Sequence, residues 1–425
     1  MSKILINDVK VITKEGSQVV KIGIDNDKIA FMAASIPADF VADTIIDGKN
    51  RLATPGFINT HTHAAMTLLR SYADDMKLMD WLQKMIWPAE AKLNNDDIYW
   101  GTMLAIAEMI RSGTTTFADM YFFMNDVAKA VDETGIRAVL ARGLTGDDDS
   151  DGKSIAENEQ FYKDWHNKAD GRITVMFGPH APYTCSRKFL ERVMDSASKL
   201  DAHIHIHIAE TKGEVDTCIE KHGKTPIAYL NEIGLFNLPT LAAHCVFVND
   251  EDLTIMQEKN VRVAHNPQSN LKLASGVAPV GKMLDLGLTI GLGTDGASSN
   301  NNLDLLEELR LVAMLHKGVT YDPLLITAQQ AFAMATSQGA KAVGLKNCGV
   351  LEVGAKADIL LFDISKPHWQ PQFNLLPLLV YSAQASDVAT VLVNGKILMH
   401  DYKLTTIDEE RVNYEANKCV QKFDN

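Results

Sequence analysis

The chain is poor in cysteine, with five in 425 residues, and Cys185, Cys218, Cys245, Cys348 and Cys419 form no C-x-x-C pair. So sparse a set builds no disulfide framework and points to a reducing compartment, the cytoplasm. Long apolar runs are missing too: Gly, Asp or His interrupts each one well short of the roughly 18 residues a membrane helix needs. The opening MSKILINDVKVITKEG reads as alternating strand, so no secretory signal is expected. Basic runs are absent, and 41 Lys and Arg against 54 Asp and Glu leave a formal net charge of −13. That sign argues against a phosphate-backbone partner, so neither nucleic acid nor membrane is expected. There is no Walker A loop, no G-x-S-x-G elbow and no H-E-x-x-H pair. What remains, 46% apolar and 22% charged residues, is enough to bury the core of one large domain and a small one.

Short alternating segments fill the first 55 residues: Ile4 to Thr13, Val19 to Ile24, Lys28 to Ala33 and Thr44 to Asp47. The same style returns at 355–364 and 388–400, where Asn394-Gly395 predicts a hairpin turn. Two strand-rich ends around a long middle predict a small β-sandwich built from both ends of the chain, residues 1–55 and 349–425. In the middle, 56–348, strands are expected to end near Asn59, Asp119, Ala141, Gly178, His207, His244, His265 and Gly293. Amphipathic helices are expected over Asp97 to Ser112, Asn125 to Thr134, Arg187 to Leu200, Thr225 to Ile233, Asp250 to Glu258 and Val277 to Leu286. Strands alternating with helices in this way close most naturally as a (β/α)8 TIM barrel, with an open doubly wound sheet as the alternative. The polar stretch 143–154 reads as a solvated loop after the third barrel strand, on the face where such loops also cover pockets.

Histidine placement carries the chemistry. His61 and His63 follow the first barrel strand one residue apart, so both side chains can enter one space. In HIHIHIAE (203–210) alternation puts His203, His205 and His207 on one face. Only His207 stands at the rim of a barrel, and the other two read as structural. Glu210 leaves the strand three positions later, close enough to exchange a proton without binding metal. His244 ends LAAHC, and Asp295 follows the eighth strand, where closure would turn it toward the histidines of the first. His61, His63, His207 and Asp295 together supply three imidazoles and a carboxylate, a set suited to Zn²⁺ or Fe²⁺ with a water in the open position. Such an ion makes hydroxide available for attack on an electrophilic carbon. The glycine-rich GLGTDG (291–296) fits better as the carrier of that aspartate than as a phosphate loop.

These residues sit in recognisable surroundings. PGFINTHTH, HIHIAET (205–211), AAHC, HNPQSNLKLASG (265–276) and GLGTDGASSNNNLDLLEELR (291–310) resemble the amidohydrolase superfamily, and within it the 5-methylthioadenosine/S-adenosylhomocysteine deaminases, over essentially the full chain. The resemblance implies a hydrolase that turns adenosine derivatives into inosine derivatives plus ammonia. It implies His61, His63, His207 and Asp295 as ligands of a single ion, since His180 stands where binuclear relatives carry a lysine. It implies Asp295 as general base, His244 as the residue orienting the water, and Glu210 as the acid that protonates the purine ring and passes a proton to the departing amine. For substrate binding it implies Glu90 of WPAEAKL on the ribose, His180 near purine or ribose, and Ser299 near Asp295. Arg142 would meet an amino-acid carboxylate, or make a structural salt bridge instead; Trp81 would wall the thioether arm, or fill the core. Asn266 departs from the Cys of many relatives, with packing consequences expected.

Two rivals stand beside this reading. One is a superfamily deaminase or chlorohydrolase acting on guanine, cytosine, a pterin or a triazine. The other is a metal-binding barrel without turnover, which the presence of Glu210 and His244 beside a full ligand set disfavours. Self-association stays open as well, homo-oligomers being common among soluble enzymes.

Overall fold

Alternation of Ile and Val with polar residues builds the first layer of the computed structural model, which describes residues 3–423. Strands β1 (Lys3–Thr13), β2 (Gly16–Asp25), β3 (Lys28–Ala33), β4 (Thr44–Asp47) and β5 (Arg51–Pro55) come from the N-terminal stretch. In β1 the buried set steps from Ile4 and Ile6 to Val9 and Val11, and a bulge with Asp8 at φ 57° absorbs the extra residue. Without that bulge half of the apolar set would face water.

The chain then enters eight strands paired in parallel and in order: β6 (Phe57–Thr62), β7 (Thr114–Tyr121), β8 (Arg137–Leu144), β9 (Ile173–Pro179), β10 (Ile204–Ile208), β11 (Thr240–His244), β12 (Arg262–His265) and β13 (Ile290–Leu292). They are buried on both faces along nearly all of their length, as expected of strands wrapped by helices. The fold is the (β/α)8 barrel that the sequence predicts. The six expected helices are present, as Asn95–Arg111, Met124–Thr134, Arg187–Lys199, Pro226–Glu232, Asp250–Glu258 and Val280–Asp285.

Further helices run over Lys153–Trp165, Lys212–His222, Leu305–Thr320, Ala328–Ala335 and Glu409–Val420. The first of these is so polar that Ile155, Asn158 and Phe161 are its only buried residues, which leaves little periodicity to read. A segment after β6 is also helical, with a π turn at Leu82–Ile86 between Leu78–Trp81 and Trp87–Glu90, and it carries Trp81 and Glu90 over the barrel.

The chain ends form one sheet. β14 (Ile359–Asp363), β15 (Val388–Val393), β16 (Lys396–His400) and β17 (Lys403–Leu404) continue it in the order β17-β16-β15-β14-β5-β1-β2-β3, with β4 on β1. The expected sandwich is thus a single sheet whose two ends of chain share one small core, with Ile6, Ile22, Ile359 and Leu361 packed together. At the β15–β16 turn Asn394 and Gly395 take φ 51° and 72°, the geometry of the predicted hairpin. A Cβ on Gly395 would fall 1.7 Å from the carbonyl oxygen of Asn26, so no other residue fits there. The buried Arg137 at the foot of β8 joins barrel to sheet through Asp358 at 2.9 and 3.1 Å and Asn394 at 3.2 Å.

β13 closes on β6 through side chains and loop backbone. The Asn59 amide donates to Thr294 Oγ1 at 2.8 Å and accepts from Thr294 N at 3.0 Å, and Asp295 N donates to His61 O at 2.9 Å. Asn59→Ala strands two buried groups at this seam and is expected to cost about 1–3 kcal/mol. The readout is the midpoint of urea unfolding, and an unchanged midpoint would show that the seam does not depend on Asn59.

Candidate metal centre and its cavity

Strand ends converge at one rim of the barrel. His61 lies in β6 and His63 one residue beyond it, His207 near the end of β10, His244 at the last position of β11, and Asp295 just past β13. His61 Nε2 is 3.5 Å and His63 Nε2 3.3 Å from Asp295 Oδ1, and His207 Nε2 is 3.3 Å from His63 Nε2. Among the described residues two metal-capable groups meet here, His61 with His63 and Asp295, and His61 with His207 and His244.

The far nitrogens fix the tautomers. His63 Nδ1–H donates to Met120 O at 2.6 Å and His207 Nδ1–H to His180 O at 2.7 Å. His244 Nδ1–H donates to Asn270 Oδ1 at 2.8 Å, and His61 Nδ1 is 2.8 Å from His205 Nε2. The Nε2 atoms of His63, His207 and His244 are thereby left with lone pairs toward the common centre, and that of His61 is buried without a hydrogen-bond partner. Neutral rings with lone pairs aimed at one point repel one another unless a cation sits among them, so this donor set fits a divalent ion.

Electrostatics favour the neutral form for His61, His180, His205 and His207, and only His63, beside Asp295, is drawn toward a protonated form whose proton a bound cation would replace. Burial pushes the His61 imidazole down to about 4 and that of His180 down to about 3. It also carries His205 and His207 well below the usual histidine range. For His63 burial again pulls downward, but the Asp295 carboxylate outweighs it and holds the ring up at about 9. Burial pulls Asp295 upward, yet His61 and His63 keep its carboxyl well below the ordinary value. Ser269 Oγ donates to Asp295 Oδ2 at 2.6 Å and Gly296 N to Oδ1 at 2.8 Å, fixing both oxygens. Glu210 is fully buried and burial raises its pKa; its Oε2 lies 3.9 Å from His244 Nε2, which is itself 4.0 Å from Asp295 Oδ2.

A cavity of about 1280 Å³ opens above this centre, and Trp81, Glu90, Arg142, His180 and Ser299 all line it beside the histidines. Glu90 Oε1 accepts from Tyr121 Oη at 2.7 Å, and burial raises the Glu90 carboxyl. Trp81 is buried with its Nε1–H on Ala73 O at 3.0 Å, so it is wall and core at once. His180 Nδ1 pairs with Thr184 Oγ1 at 2.9 Å, and Ser299 Oγ donates to Gly296 O at 3.0 Å. Arg142 lines the cavity and is ion-paired to Glu157, the salt bridge expected as one of its two alternatives. Gly143, Thr145 and Asp147 of the acidic stretch also line the cavity, so that segment is part of its wall. Asn266 is fully buried, with its amide 3.4 Å from His244 Nδ1.

The sequence pattern passes over several supporting residues, Tyr121 behind Glu90, Ser269 behind Asp295 and Asn270 behind His244, whereas His205, expected to be structural, stands behind His61. Ser269 and Asn270 lie in the HNPQSN segment, a signal within reach; Tyr121 reveals itself only through Glu90 on the helix Trp87–Glu90.

Known proteins resemble this chain over nearly its whole length. A family model described as "Amidohydrolase family" matches residues 52–398. A protein of Thermoanaerobacter pseudethanolicus named 5-methylthioadenosine/S-adenosylhomocysteine deaminase is 50% identical over 99% of both chains. One of the same name from Dictyoglomus thermophilum is 56% identical over 88% of both chains. Among solved structures, an adenosine deaminase from Xanthomonas campestris with bound zinc superposes with a TM-score of 0.94 at 33% identity, covering 99% of this chain and 98% of that one.

His205→Phe keeps an aromatic ring and removes the nitrogen that pairs with His61 Nδ1. Zinc is expected to be held about 10–100-fold more weakly, measured by competition with a chromogenic chelator. An unchanged affinity would show that His61 is aimed without His205.

Proposed function

The chain belongs to the amidohydrolase family, and from that premise we propose that it hydrolytically deaminates S-adenosylhomocysteine and 5′-methylthioadenosine to the inosyl derivatives and ammonia. The observation that carries the chemistry is His244 Nε2 standing 3.9 Å from Glu210 and 4.0 Å from Asp295, beside three further imidazoles. The substrate class is supported by the names of relatives about half identical over nearly the whole chain. One divalent ion, zinc as in the Xanthomonas campestris neighbour, fits His61, His63, His207 and Asp295. When bound it supplies a water of lowered pKa and charge stabilisation at the oxygen that adds to carbon. Five buried free thiols support a reducing compartment, the cytoplasm.

The proton work falls to the two carboxylates. Asp295, whose pKa is depressed, is the anion that takes a proton from the attacking water, while His244 orients that water. Glu210, whose pKa is raised, arrives protonated and gives its proton to ring N1 as the oxygen bonds to C6. Collapse breaks the C6–N bond. One water proton completes the ammonia and the other restores the proton that Glu210 gave, leaving C6=O and N1–H. Glu90, steadied by Tyr121, accepts from the ribose hydroxyls, and His180 and Ser299 flank the nucleoside. Trp81 walls the thioether arm, and Arg142 meets the carboxylate of the amino-acid tail.

The test is ammonia release by zinc-loaded protein, compared as kcat/KM across S-adenosylhomocysteine, 5′-methylthioadenosine, adenosine, guanine and cytosine. Preference for the two thioether nucleosides is expected, and activity confined to a free base would overturn the substrate assignment. Glu210→Gln is expected to lower kcat by about 10²–10⁴ with zinc content unchanged. Because Glu210 works in its protonated form, kcat should fall as pH rises through its elevated pKa.

A further inference from the structure

Glu214 is a buried carboxylate that makes no salt bridge among the described residues and has no part in the proton transfers above. It belongs to the helix Lys212–His222, which Thr211 caps by accepting Glu214 N on its hydroxyl at 3.2 Å. A glutamate at this position ordinarily returns to the amide of the capping residue. Glu214 instead reaches past Thr211: Oε1 accepts Ala209 N and Oε2 accepts Glu210 N, each at 2.8 Å.

Those two amides form the exit of β10. Ala209 takes φ 53°, a left-handed conformation unfavourable to any residue with a Cβ. Its carbonyl is fixed from the other side by Val246 N at 3.0 Å and Phe247 N at 2.9 Å, while Cys245 N donates to Ile208 O at 3.0 Å. His244 and Cys245 are themselves left-handed, at φ 73° and 48°. Two strained strand exits, one bearing Glu210 and the other His244, are thus laced together, and among the described residues the Glu214 carboxylate is the only side chain that grips the Glu210 amide.

We propose that Glu214 is a positioning residue for the catalytic acid, holding the Ala209–Glu210 backbone in the one setting from which the Glu210 carboxyl reaches the ring nitrogen. The proposal rests on the role given to Glu210 above. Glu214→Gln keeps the size and one acceptor oxygen but turns an N–H donor toward the second amide; Glu214→Ala removes both acceptors.

The experiment measures kcat, KM for S-adenosylhomocysteine, zinc content and thermal midpoint for the wild type, Glu214→Gln, Glu214→Ala, Glu210→Gln and the double variant Glu210→Gln/Glu214→Gln. Glu214→Gln is expected to stay folded and zinc-loaded and to lose about 10–100-fold in kcat with KM nearly unchanged. The double variant is expected to be no slower than Glu210→Gln, because the acid being positioned is already gone. A kcat of Glu214→Gln equal to the wild type, a double variant whose losses multiply, or loss of zinc or fold in both Glu214 variants would overturn the proposal. Full activity of Glu210→Gln, or a wild type inactive on nucleosides, would instead sink the underlying reading and the proposal with it.

Discussion

Across the seam where the last barrel strand meets the first, Asp295 N donates to His61 O and the Asn59 amide clasps Thr294. The site depends on that join. Strand β13 is only Ile290–Leu292, too short to align Asp295 by a long ladder, so local side-chain bonds decide where the carboxylate ends up. Once the join is made, Asp295 Oδ1 faces the Nε2 atoms of His61 and His63, and Oδ2 faces Ser269 and His244. A wider seam would part the carboxylate from the imidazoles and leave two incomplete donor sets.

The same closure sorts the charges. Buried imidazoles with their Nδ1 protons committed to carbonyl or side-chain acceptors offer lone pairs inward, and that costs free energy unless a cation is held among them. Two buried carboxylates then find opposite environments. Asp295, beside His61 and His63, is kept ionised, whereas burial lifts Glu210 at the β10 exit toward its protonated form. Pushing one carboxyl down and its neighbour up is how a single fold fields a base and an acid at the same pH. His244 lies between them, about 4 Å from each, anchored by Asn270.

Much of this was legible in the sequence, for a physical reason. Barrel strands and wrapping helices leave periodic apolar patterns along single elements, and His61, His63, His207, His244 and Asp295 each close such a pattern. The alternation of HIHIHI put His205 on the inward face, but nothing local said that its Nε2 would meet His61. Tyr121 behind Glu90, Glu157 on Arg142 and Ser269 on Asp295 are likewise pairings between elements that no periodicity records. The helix Lys153–Trp165 escaped because three buried side chains suffice to dock it. Glu214 left a partial trace, the Thr-x-x-Glu of a helix start; the reach beyond the cap shows only in three dimensions.

The central claim is that three imidazoles and one carboxylate close on a single divalent ion. Zinc K-edge X-ray absorption on protein carrying one equivalent of the metal reads that shell directly. The account predicts nitrogen and oxygen neighbours only, at about 2.0–2.2 Å, with the outer-shell scattering of imidazole rings. A sulfur shell near about 2.3 Å, or a second zinc about 3.5–4 Å away, would contradict it.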